Sequence, residues 1–79
     1  MEVKTVMKNI TFEIKEKYGK LNEKDWSLEV NRIAWNKKAP KIDIRAWDSS
    51  HEKMSKGITL TDIEAKKLLK ILTYIYKEK

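Results

Sequence analysis

At Thr61 the spacing of apolar residues changes, and that change constrains the fold more than any other feature of the chain. Upstream, apolar residues recur at every second position. Ile10, Phe12 and Ile14 alternate with Thr11, Glu13 and Lys15, and Ile42, Ile44 and Ala46 alternate with Lys41, Asp43, Arg45 and Trp47. Period two marks a strand with two unlike faces. Downstream, Ala65, Leu68, Leu69, Leu72, Ile75 and Tyr76 recur at helical spacing. Thr61-Asp62-Ile63-Glu64 supplies the junction with a capping box, in which the threonine hydroxyl and the glutamate carboxylate each satisfy a free backbone N–H. Strands first and one helix last make an α+β domain.

The pattern predicts four antiparallel strands, at about Ile10–Lys15, Trp26–Trp35, Lys41–Trp47 and Met54–Leu60, then a helix from Thr61 to about Lys77: ββββα. Gly19–Asp25 and Asn36–Pro40 read as turns, and Pro40 keeps Ala39 out of helical geometry. The second strand has an awkward phase. Trp26, Leu28 and Val30 share one face while Ile33 and Trp35 share the other, so either a bulge reorients it or its end is apolar on both sides. Gly57, inside the last strand, marks a bulge or a close approach by another backbone.

The 79 residues make a single domain, 1–79, with no cysteine and one histidine. A chain this short buries only roughly 60% of its unfolded surface. Disulfides and thiolate metal sites are excluded, and no metal site or cofactor is expected, which leaves oligomerisation as the usual reinforcement. The helix fits that expectation. Its main stripe should pack on the chain's own sheet, while Ile71 and Tyr74 widen the apolar arc beyond what one small sheet covers. A homodimer contact on that flank, through Leu68, Ile71, Leu72 and Ile75, follows.

Net charge is +6, and it is concentrated. Between residues 31 and 47, Arg32, Lys37, Lys38, Lys41 and Arg45 face Asp43 as the one acid. On the third strand the alternation turns Ile42, Ile44 and Ala46 towards a core and shows Arg45 and Trp47 to solvent. An exposed indole among cations suits a single-stranded nucleic acid, whose bases stack on rings while phosphates follow the charges. No apolar run approaches the roughly 20 residues of a membrane span. The first ten residues lack the apolar core of a signal peptide, so a cytoplasmic location is expected, nucleoid association included. Asp48, Ser49, Ser50 and His51 have the residue types of a hydrolytic triad but crowd into one loop, where they cannot converge from fixed positions, and His51 reads as a surface residue. The chain reads as a binding module and not an enzyme.

Trp35-Asn36, then Lys41-Ile42-Asp43-Ile44-Arg45-Ala46-Trp47-Asp48, then Lys56-Gly57-Ile58-Thr59-Leu60-Thr61 before the helix, resemble the transcriptional positive coactivator family of single-stranded DNA-binding proteins, most closely its small bacterial YdbC-type branch. The resemblance covers about residues 10–76. It implies a homodimer that binds single-stranded DNA with little sequence preference in transcription, replication or repair, with transcription or replication machinery as further partners. It also implies strand contacts from Arg45, Trp47 and Trp35, and phosphate contacts from Lys37, Lys38, Lys41 and Lys56. Two alternatives stand beside it: single-stranded RNA on the same face, and a protein-interaction module that docks acidic partners.

Overall fold

The computed structural model describes residues 3–7 as backbone and residues 10–77 in full. Strands β1 (Val3–Met7), β2 (Ile10–Lys20), β3 (Ser27–Trp35), β4 (Lys41–Trp47) and β5 (Met54–Leu60) precede one helix, α1 (Asp62–Tyr76). The strands form an antiparallel meander in the order β1-β2-β3-β4-β5. The four expected strands and the C-terminal helix are present. Ahead of them β1 adds a fifth strand along the first half of β2, from Val3 opposite Glu13 to Met7 opposite Ile10. β2 continues through Gly19, beyond the expected end of the first strand. Among the described residues no helix is long and apolar enough to cross a membrane.

The sheet is strongly curled. β3 and β4 pair without interruption from Ser27–Trp47 to Ile33–Lys41, so the awkward phase of β3 is no bulge; its end is apolar on both sides, with Ile33 and Trp35 on one and Ala34 on the other. The irregularities fall in its neighbours, between Ile14 and Glu16, between Lys17 and Gly19, and between Arg45 and Trp47. Bulges sharpen strand twist and bend. Phe12 pairs opposite Trp35 at one end of β3 and Trp47 opposite Ser27 at the other, a separation of roughly 26 Å along a straight strand. Yet the rings of Phe12 and Trp47 lie with centroids 5.1 Å apart. The sheet therefore wraps one face around an interior formed by Phe12, Ile14, Ile33 and Trp47, with Trp35 and Met54 packed against it.

That curl inverts the expected inside and outside of β4. Trp47 and Asp43 have no exposed surface, whereas Ile42, Ile44 and Ala46 on the opposite face are only half-buried. Alternation shows that two faces differ; curvature decides which of them closes. The helix also departs from expectation. None of its residues is buried, and Leu69, Ile71, Leu72, Tyr74, Ile75 and Tyr76 are all exposed. α1 approaches the sheet beside β4 and β5, on the convex side, where Arg32 reaches from β3 to Asp62 at 3.3 Å and to the Tyr18 hydroxyl at 2.8 Å. The main stripe is thus not covered by the chain's own sheet.

The helix start forms as its sequence dictates. The Glu64 N–H donates to Thr61 Oγ1 at 3.1 Å, and the Thr61 N–H donates to Glu64 Oε1 at 2.8 Å. The backbone N–H of Thr61, then its hydroxyl, hold the Glu64 carboxyl below the usual carboxylate range, with help from the charge of Lys41. Thr61→Ala is expected to cost about 1 kcal/mol. Because the folded carboxyl is depressed, its contribution is present above the unfolded value and is lost as pH falls through the folded one. Urea melts at neutral and strongly acidic pH should show the gap between variant and parent narrowing in acid by the share the Glu64 carboxylate carries, while the bond from the Glu64 N–H to Thr61 Oγ1 keeps the rest.

Candidate nucleic-acid interface

Arg45 is the centre of the concave face. Its Nε donates to Asp43 Oδ1 at 2.7 Å and its Nη2 to Asp43 Oδ2 at 2.9 Å, a two-pronged ion pair. Thr59 on β5 donates to the same carboxylate at 2.9 Å and stands 3.4 Å from Nη2. Nη1 lies 3.6 Å from the sulfur of Met54. So held, the guanidinium sits 4.9 Å from the ring centroid of Trp35. Phe12 supports that indole from within, with centroids 5.7 Å apart. A planar cation over an indole is favourable in itself, and Trp35 and Arg45 are both only partly buried.

Backbone approach makes the arrangement feasible. Gly57 lies opposite Arg45 in the β4–β5 register, and a Cβ there would collide with Arg45 Cβ and the Ile44 carbonyl oxygen. The close approach anticipated at Gly57 is real, and it is what lets the base of Arg45 lie flat. At the adjacent irregularity the Ser55 hydroxyl accepts from the Ala46 N–H at 3.1 Å, satisfying a donor the ladder leaves free. Gly57→Ala is expected to destabilise the fold by about 1–3 kcal/mol and to shift Arg45 off Trp35. Urea denaturation and ligand titration of the same variant check both effects.

Beside this pair opens a cavity of about 540 Å³ lined by Ile10, Trp35, Arg45, Met54, Lys53 and Lys56, among others. Lys56 therefore lies with Trp35 and Arg45. Lys37 and Lys38 are exposed on the turn between β3 and β4. That turn is tight: Asn36 and Lys37 both have positive φ, the Lys38 N–H donates to the Trp35 carbonyl at 2.9 Å, and the Asn36 side chain accepts from Thr11 N at 2.8 Å. Lys41 is exposed at the start of β4, near enough to Glu64 to influence its carboxyl. Arg32, counted in the local charge excess, lies on the other side with Tyr18 and Asp62.

Trp47 is the main correction. Its ring is fully enclosed between Phe12 and His51, which stacks on it at 5.7 Å, so neither face is open to a base. His51 is not a plain surface residue either: its Nε2 lies 3.0 Å from both carboxylate oxygens of the buried Glu29. Asp43 and Thr59, which fix Arg45, were absent from the expected site. The signal for Asp43 was present, because residues two apart on a strand share a face.

The curled sheet, the helix on its back and the cation–aromatic pair on its hollow face define a small basic α+β domain. The chain matches the family model described as Transcriptional Coactivator p15 (PC4) over residues 22–71, and it belongs to that family, one of single-stranded DNA-binding coactivators. It is also similar to an uncharacterized protein of Treponema pallidum (strain Nichols), 44% identical over 55 residues, with 67% of this chain covered. The match covers 65% of that relative's length.

Proposed function

We propose that this protein binds single-stranded DNA on its concave face as a homodimer, with little preference for sequence along most of the path. The observation that carries the reading is the immobilised Arg45 guanidinium over Trp35 at the edge of an open cavity. A base entering there stacks on the pair, and Lys37, Lys38, Lys41 and Lys56 neutralise phosphates on either side. Trp47 supports the platform through Phe12 and touches no ligand. The exposed apolar helix face, with Ile71, Leu72 and Ile75 beside the half-buried Leu68, together with the half-buried convex residues Ile42, Ile44 and Ala46, supports a second copy as the missing cover. Roles in transcription, replication or repair follow from the same strand binding.

Titration of tryptophan fluorescence with an oligo-dT of about 20 nucleotides tests this, with duplex DNA as control. Saturable quenching by the single strand alone is expected, since a duplex hides its base faces. Affinity should fall with salt by about 0.7 logarithmic units per neutralised phosphate. Trp35→Ala should weaken binding by about 1–3 kcal/mol. Equal response to duplex and single strand, or none to either, would refute the reading.

A further inference from the structure

A second cavity of the concave side, about 360 Å³, lies away from Arg45 and Trp35 and is lined by Lys17, Lys20, Glu29, Asn31 and His51, among others. Its chemistry differs from that of the first. Glu29 and Asn31 are 5% and 1% exposed, on the buried side of β3. Both oxygens of Glu29 accept from His51 Nε2, and Oε1 also accepts from Asn31 Nδ2 at 3.1 Å. Nε2 must carry the hydrogen, because a carboxylate only accepts. That leaves Asn31 Oδ1, a buried acceptor with no hydrogen-bond partner among the described residues. His51 adopts φ of 59°, a left-handed backbone that a non-glycine residue enters at a cost, and its side chain is held there by Glu29 and Trp47.

A pocket with a carboxylate and an orphaned amide oxygen asks for a ligand edge rich in donors. Lysines 17 and 20 at its rim ask for an anion carried elsewhere on the same ligand. Among the nucleobases, guanine presents two adjacent donors, N1–H and the N2 amino group, on one edge. Thymine offers a single N–H between two carbonyls, which would meet these oxygens unfavourably. We infer that this cavity is a guanine-selective subsite, in which Glu29 and Asn31 accept from the base edge and Lys17 and Lys20 take the flanking phosphate. The inference rests on the single-strand reading above and adds one position of base selection to an otherwise tolerant path.

The test is an anisotropy titration of the intact protein with oligo-dT and with the same oligomer carrying one central dG or one central inosine, which lacks the N2 amino group. The dG oligomer is expected to bind about tenfold tighter than oligo-dT, with inosine between them. Glu29→Gln should erase the preference while binding to oligo-dT is retained, and the Asn31 side-chain amide resonances should move with dG and not with dT. If the variant does not fold, the inosine comparison still decides. Equal affinity for all three oligomers overturns the subsite and leaves strand binding standing. No binding to any of them overturns strand binding itself.

Discussion

Trp47→Ala is expected to remove about 3–5 kcal/mol of stability, the cost of emptying a core aromatic site. A domain of this size has a total stability of only about 4–12 kcal/mol, so the variant should unfold near room temperature or fail to fold cooperatively. Near-ultraviolet circular dichroism and urea melts would register the loss directly. The rival expectation from the strand pattern, an exposed ring that stacks on a base, predicts a normal melt with affinity reduced by about 1–3 kcal/mol. The two outcomes do not overlap. Enclosure of the ring by Phe12 and His51 puts the structure on the side of the unstable variant.

The second large effect is expected at the helix. Leu72 is 42% exposed in the single chain and central to the apolar face. In a twofold interface every substitution acts twice. Burial of a leucine contributes about 1.5–3 kcal/mol per copy, so Leu72→Asp should weaken dimerisation at least about 100-fold. Light scattering after gel filtration should show a dimer for the parent chain and a monomer for the variant. Lys70→Asp, on the opposite side of the helix by its spacing, should leave the dimer intact. A parent chain that is monomeric at high micromolar concentration would remove the dimer from the proposal.

What could be read from the sequence was whatever depends on near neighbours. The alternation at Ile10–Ile14 and Lys41–Trp47, the Asn36–Pro40 turn and the capping box at Thr61 are all local, and each appears where expected. Arg45 and Trp35 were legible as candidates because a cation and an indole fall on adjacent strands, but the same pattern offered Trp47, which is core. The side of β4 that faces inward was not legible. It depends on irregularities in β2 and at Arg45–Trp47, which no pattern in those segments announces. His51 shows the same limit: its partner, Glu29, lies 22 positions away, and nothing in the loop points to it. β1 was missed because Val3-Lys4-Thr5-Val6-Met7 is short and mixed in polarity.

Every strand of this sheet pairs with its neighbour in sequence, so each hairpin is able to zip without waiting for a distant segment. The contact between Phe12 and Trp47 is different in kind, because it exists only once the whole meander has bent back on itself. Closure of the curl is therefore expected late in folding, after the ladders. Interactions formed after the transition state govern how fast a protein comes apart more than how fast it assembles. Bound as proposed, between Trp35 and β5, an oligonucleotide spans the seam of that closure. It should act as a clasp, lengthening the lifetime of the folded domain while leaving its refolding rate nearly unchanged.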